Sequence, residues 1–297
     1  MQQHSVVPGR KHRGCAPYAA HKGVIRFQFS GPPAPSQAET VNTMRIFSLS
    51  DIHVDFESNA EWVASLSRSE YQRDVLILAG DVSDSLERLE HCLSTFSNCF
   101  LRVFFVPGNH ELWVMRDPPG TNSLDKFEQV RRVAEASGAT LRPELVDGVV
   151  IVPLLGWYDE SFGMPSQELR NAWMDFYACR WPNGWTSRHV TEYFTGLNVL
   201  DNLPRGRSTI SFSHFLPRID VMPAYIPASR RMLYPVLGSG LIEAQVRRIH
   251  PDLHLYGHSH VNREVMLDGI RYLNNAFGYP HEERITKKAL YCVYQAR

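Results

Sequence analysis

Five short apolar runs in this chain each lead into a side chain able to hold a cation, and that recurrence narrows the possible folds more than any other feature. "RIFSLS" leads into Asp51 and His53, "DVLILAG" into Asp81, and "LRVFFVPG" into Asn109 and His110. Further on, "TISFS" is followed by His214, and "DLHLYG" by His258 and His260. The runs are rich in β-branched or aromatic residues and are closed by Gly, Pro or a polar residue, so each reads as a strand, as does "VVIVPLLG" at 149–156. Helical patterns lie between several of them. They are "SNAEWVASLSRSEY" with Ser58 or Asn59 as its cap, "DSLERLEHCLSTF" with Asp84 and Glu87 as a capping box, Ser123 to Ser137 before Gly138, and "GLIEAQVRRI" after Ser239. Near the end, "VNREVMLDGIRYLNN" alternates on either side of Asp268-Gly269, a hairpin signal, and a last strand is expected at about 288–295. Strands alternating with helices and closing on a hairpin predict mixed sheets covered by helices.

Residues i and i+2 of an extended segment point the same way. Asp51 with His53, and His258 with His260, are therefore each expected to present two donors to one side. The carboxyl ends of strands are where crevices form in open α/β sheets. Carboxylate, carboxamide and imidazole together suit first-row divalent ions such as Mn, Fe, Zn or Co. There are more such groups than one tetrahedral ion takes, so two ions are the economical reading. Any one of these motifs is commonplace by itself. Five in order, each after a strand, are not.

Charge and composition remove other classes. The chain carries 31 basic and 31 acidic residues, so no overall field favours a nucleic acid or an anionic membrane surface. No apolar run approaches the roughly 20 residues of a spanning helix. Five cysteines, Cys15, Cys92, Cys99, Cys179 and Cys292, include no C-x-x-C pair and read as buried thiols rather than a disulfide framework. Residues 1–43 differ from the rest. Arg10, Lys11, Arg13, Lys22 and Arg26 face a single acid, Glu39, and "GPPAPSQ" interrupts the stretch. That composition predicts a disordered N-terminal extension with the profile of an organelle transit peptide, which would place the protein in a plastid or mitochondrion. The alternatives are a plain extension or an unused upstream start before Met44, with a cytoplasmic protein.

Two stretches break the strand–helix rhythm. Residues 157–205 hold Trp157, Trp173, Trp181 and Trp185 with several Tyr and Phe, and residues 215–238 are proline-rich with Arg218, Arg230 and Arg231. They are candidates for a cap, in which an aromatic ring stacks on part of a substrate and Arg218 or Arg230 grips a second phosphate. The plainer reading makes the aromatics the core of an insertion. His91, His189, His250, His254 and His281 receive no role.

The motifs D-x-H (Asp51, His53), G-D-x-x-D (Gly80 to Asp84), G-N-H-E (Gly108 to Glu111), S-H (His214) and G-H-x-H (Gly257 to His260) resemble the calcineurin-like metallophosphoesterase superfamily over about 44–297. "GWYDESFG", "SHFLPR" and "NNAFGYPHEE" are similar to a bacterial- and plastid-type branch of it. The resemblance implies an α/β fold, a four-layer α/β/β/α sandwich with two mixed sheets. It implies a first metal held by Asp51, His53, Asp81 and His260, with Asp81 bridging to a second held also by Asn109, His214 and His258. The cofactors would be two divalent ions, Mn, Fe or Zn. The activity would be hydrolysis of a small phosphomonoester or phosphodiester by in-line attack of metal-bound hydroxide. His110 would stabilise the transition state or protonate the leaving oxygen, and Glu111 would orient it. Asp84 would stand behind the metals, although its local sequence equally explains it as a helix N-cap. A nuclease of the same superfamily fits the balanced charge less well, since backbone binding needs several cationic contacts. A silent protein-binding scaffold fits less well because every implied ligand is present.

Overall fold

The computed structural model describes residues 43–296, so the expected N-terminal extension and transit peptide lie outside the described residues save for Thr43. Strands β1 (Arg45–Leu49), β2 (Val75–Ala79), β3 (Arg102–Val106) and β4 (Ala139–Thr140) alternate with helices α1 (Glu57–Ala64), α2 (Leu86–Cys99) and α3 (Ser123–Ala136). After β5 (Glu144–Val146) and β6 (Val149–Pro153) come three helices, α4 (Gln167–Ala172), α5 (Asp175–Ala178) and α6 (Ser187–Gly196). The chain then runs through β7 (Ser208–Phe212), α7 (Gly240–Ile249), β8 (Leu253–Tyr256), β9 (Arg263–Leu267), β10 (Ile270–Asn274) and β11 (Tyr291–Gln295).

The strands form two sheets, ordered β11-β1-β2-β3-β4 and β5-β6-β7-β8-β10-β9. Inner strands are parallel, whereas β11, β5 and β9 pair antiparallel at the edges, so both sheets are mixed. Alternation along each strand sorts side chains onto two faces. Val75, Ile77 and Ala79 of β2 enter a core between the sheets, where they join Val149, Ile151, Ile210 and Phe212 of the other sheet. Leu76 and Leu78 face outward to Leu89, Leu93 and Phe96 of α2 and Val130 of α3. On the second sheet Val150 and Val152 turn outward to Ile242 and Val246 of α7 and Phe194 of α6. The result is the four-layer α/β/β/α sandwich. Parallel register sets Leu49 opposite Leu78 and Ala79 opposite Val106, which brings the ends of β1, β2 and β3 level on one rim.

The helix starts differ from expectation. α1 is capped by neither Ser58 nor Asn59; it begins after Phe56 without a side-chain cap, and Asn59 is buried, donating to the carbonyls of Ile52 and Gly278. It also stops early. Ser65 donates to the Trp62 carbonyl and Ser67 accepts from the amides of Ser69 and Glu70, so local hydroxyl bonds replace helical ones. The N-cap of α2 is Ser85, which accepts from Arg88 N, and not Asp84. Asn122 and Ser239 cap α3 and α7. The expected hairpin forms, with Asp268 at φ 49° and Gly269 at φ 83° between β9 and β10. Cys92, Cys99 and Cys179 are buried free thiols, but Cys292 is exposed at the sheet edge. No helix among the described residues is long and apolar enough to cross a membrane.

Candidate metal centre

Beyond β1, β2 and β8 the backbone leaves the extended region at once. Asp51 (φ 53°), His53 (φ 43°), Asp81 (φ 56°), His258 (φ 65°) and His260 (φ 51°) are all left-handed. The D-x-H and H-x-H pairs are thus not extended, contrary to expectation. Steric contact of Cβ with the carbonyl oxygen costs about 1–2 kcal/mol at each such residue. The curl has a use: it turns the loops inward so that donors from separate strands meet. That approach leaves no room for side chains between the loops. A Cβ on Gly108 would overlap Asp81 Oδ1 and lie 2.7 Å from His214 Cε1; one on Gly80 would lie 2.6 Å from His214 Nδ1.

Two buried groups of donor atoms result, each with its members within 4.8 Å of one another: Asp51, His53, Asp81 and His260, and Asp81, His214 and His258. Asp81 belongs to both. In the first, His260 Nε2 lies 3.1 Å from His53 Nε2 and 3.3 Å from Asp51 Oδ1. In the second, His214 Nε2 lies 3.0 Å from His258 Nδ1, 3.2 Å from Asn109 Oδ1 and 3.5 Å from Asp81 Oδ1. The outer nitrogens of three imidazoles meet acceptors: the Ala79 carbonyl at 2.8 Å (His214 Nδ1), the Val236 carbonyl at 3.0 Å (His258 Nε2) and Glu282 Oε2 at 2.6 Å (His260 Nδ1). Each acceptor puts the ring proton on the outer nitrogen and aims the inner lone pair at the centre. Facing lone pairs 3.0 Å apart repel unless a cation lies between them. The residues therefore fit a pair of divalent ions on the chemistry of their donors.

The electrostatics agree. Burial pushes the His260 imidazole down, but the carboxylates of Asp51 and Glu282 outweigh it and raise it to about 10, the mark of a place that favours positive charge. Burial pushes the Asp51 carboxyl up, yet His260 and its neighbours hold it well below the usual carboxylate range. Burial lowers His53, His214 and His258, which keeps them neutral as ligands must be. Asp81 is raised by burial and by the charges of Glu111 and Asp51, a strain that adjacent cations relieve.

His110 stands beside both groups. Its amide donates to Asp81 Oδ1 (3.1 Å), its Nε2 lies 3.8 Å from Asp81 Oδ2, and its ring stacks on Trp113 at 3.8 Å. Burial, with His214 and His260 nearby, pushes it down to about 3. Glu111 does not orient it. The fully buried Glu111 carboxylate instead accepts from the amides of Asp81, Val82, Ser83 and Gly108, tying the β2 loop to the β3 loop. Asp84 is not the cap: Arg116 donates to its carboxylate at 2.8 Å and Lys126 to its carbonyl at 3.0 Å. Arg218 spends four of its five N–H donors on the carboxylates of Asp220, Glu243 and Asp268, so its charge is already matched by three acids. Arg230 lines a cavity of about 630 Å³ with Met222, Leu233, Leu237, Ser259 and Glu282. Ser259 sits between His258 and His260, so this cavity abuts the centre. The aromatic insertion is largely outer core, with Trp157, Tyr158 and Phe194 buried.

Sequence reasoning missed three residues. Glu282 is the acid behind His260, and Tyr279 lays its ring against His53 and His260 at 4.5 and 4.9 Å. Asp175 opens α5 in the insertion and accepts from Asn109 Nδ2 (2.8 Å), Trp113 Nε1 (2.7 Å) and Trp173 Nε1 (2.8 Å). "YPHEE" holds the first two within four residues, but far from the D-x-H and G-H-x-H motifs and after no apolar run; Asp175 has no spacing to mark it. Of the histidines without a role, His254 is buried between Ser211 and Ser213, and His189 completes a capping box with Thr186.

The family model of calcineurin-like phosphoesterases matches residues 44–262. The chain belongs to this family. As a calcineurin-like phosphoesterase it is a metal-dependent phosphoesterase. It is 26% identical over 270 residues to the acyl-carrier-protein phosphodiesterase PptH of Mycobacterium tuberculosis, a match covering 82% of this chain and 80% of that protein. Among solved structures, the crystal structure of phosphopantetheinyl hydrolase (PptH) from Mycobacterium tuberculosis aligns with a TM-score of 0.69 and 23% identity, over 84% of this chain and 96% of that one. This likeness shows the shared sandwich.

Proposed function

We propose that the chain is a two-metal phosphodiesterase. The observation that carries this reading is the sharing of Asp81 between two buried donor groups whose imidazole lone pairs converge. Asp51, His53, Asp81 and His260 would hold one ion, and Asp81, Asn109, His214 and His258 the other. Held there, two divalent ions would supply a nucleophilic water at neutral pH and charge neutralisation at the phosphoryl oxygens. The residues do the rest. Neutral His110 donates from its ring to a phosphoryl oxygen or to the leaving oxygen, and a bound phosphate raises its pKa toward working pH. Trp113 fixes its plane by stacking, and Glu111 keeps the loops carrying Asp81 and Asn109 at their spacing.

PptH is named for a phosphopantetheinyl diester on acyl carrier protein, which supports a diester with a long amide-bearing arm as the substrate class. The cavity beside Ser259 is largely apolar, with Arg230 on its wall, and suits such an arm. Residues 1–43 act in this proposal as an organelle transit peptide, on their composition; N-terminal sequencing of native protein should find them gone, and an intact Met1 would refute it. For the activity, the test is turnover of p-nitrophenyl phosphate and bis-p-nitrophenyl phosphate with manganese, next to Asp81→Asn. Faster hydrolysis of the diester, lost in the variant, is expected. A preference for the monoester would turn the reading to a phosphatase, and equal activity in Asp81→Asn would remove the metal centre from the chemistry.

A further inference from the structure

We propose that Asp175, carried by the insertion between β6 and β7, is a positioning residue that sets the affinity of the second metal site by fixing the carboxamide of Asn109. The inference rests on the two-metal reading. Both Asp175 oxygens face N–H donors and therefore act as acceptors. Asp175 Oδ1 lies 2.8 Å from the Asn109 amide, so the NH2 of that amide must face Asp175 and the oxygen must face inward. That oxygen is 3.2 Å from His214 Nε2, in the group formed with Asp81 and His258. Reversed, the amide would aim two N–H groups at the place of a cation. Among the described residues no other hydrogen-bond partner holds Asn109 Nδ2, so the orientation depends on Asp175.

The carboxylate is itself held. Trp113 Nε1 shares Oδ1 at 2.7 Å and Trp173 Nε1 donates to Oδ2 at 2.8 Å. Trp113 stacks on His110, and the Trp173 ring meets His258 edge-on at 5.8 Å. Asp175 is thus the buried point through which the insertion reaches Asn109, His110 and His258 at once. The first site, made by Asp51, His53, Asp81 and His260, has no bond to it. An effect confined to the second site therefore separates positioning from a general loss of structure.

The experiment is manganese titration of the full chain by calorimetry, wild type against Asp175→Asn, with the spin-coupled signal of a manganese pair followed by electron paramagnetic resonance. Wild type should bind two ions. The near-isosteric variant should keep the tighter first ion and hold the second 10–100-fold more weakly, the range typical for residues that orient a ligand, with the coupled signal lost at concentrations that saturate wild type. Loss of affinity at both sites alike, or at neither, in a folded variant would overturn the proposal. A wild-type protein that binds one ion would overturn the two-metal reading and this inference with it. Should the variant not fold, the wild-type Asn109 side-chain amide, identified by its absence in Asn109→Asp, provides a second measurement by NMR. Strong protection from solvent exchange is expected, and exchange at the rate of a free amide would overturn the bond to Asp175.

Discussion

At the scale of single residues, the centre depends as much on what is missing as on what it displays. A methyl at position 108 would overlap Asp81 Oδ1 and crowd His214, and backbone on both loops is tied to Glu111, so neither loop can retreat. Gly108→Ala should therefore lose manganese binding and about 100-fold in turnover, as expected when a ligand is displaced by about 1 Å. Gly196→Ala, which meets nothing within 4 Å, should leave both unchanged; metal analysis beside the rates would show it, and equal behaviour of the two variants would refute the steric account. Glu111→Gln tests the other half. Its carboxylate accepts four amides, and a carboxamide must turn an N–H toward at least one of them. An unsatisfied buried donor costs about 1–3 kcal/mol, so thermal melting should fall by several degrees. The donors themselves were legible, because each follows an apolar run. Their left-handed backbone and the task of Glu111 were not: both involve contacts between loops separated by 28 residues (Ser83 and Glu111) to 207 residues (Asp51 and His258), which no local pattern encodes.

At the scale of elements, strands and their order were readable because alternation separates two cores along one strand, as Leu76 and Ile77 show. Helix ends were less so. Asp84 and Ser85 are both good caps by composition, and tertiary bonding of Asp84 to Arg116 left Ser85 as the cap. Charge in the proline-rich segment was legible, but its use was not. Arg218 and Arg230 look alike in sequence, yet Arg218 is bound by carboxylates from α7 and the β9–β10 turn while Arg230 faces the cavity beside Ser259. Arg218→Ala should leave the Michaelis constant of an arm-bearing phosphodiester unaltered and cost stability by up to about 1 kcal/mol, since the network is largely exposed. Arg230→Ala should raise that constant several-fold without altering turnover of bis-p-nitrophenyl phosphate, which has no arm. Equal effects on both substrates would place Arg230 outside substrate binding.

At the scale of the whole molecule, the sandwich accepts a local penalty at its functional rim. Five left-handed residues, each costing about 1–2 kcal/mol, and a set of buried imidazoles and carboxylates oppose folding there. Bound cations would offset this, because the folded loops bring together donors that the unfolded chain holds apart. A site saturated at 100 times its dissociation constant adds about 2.7 kcal/mol, and two such sites add roughly 5 kcal/mol. At about 2–4 °C per kcal/mol for a domain of this size, chelation should lower the melting temperature by roughly 10–20 °C, and added manganese should restore it. Asp81→Asn should lose most of that response, since Asp81 is the residue common to both donor groups. Asp51→Asn should lose only the part belonging to the first group. Calorimetric scans of the three proteins with and without chelator would decide it: a melting temperature indifferent to chelation would separate the ions from the stability of the fold, and a full response surviving in Asp81→Asn would show that the two groups do not share this carboxylate.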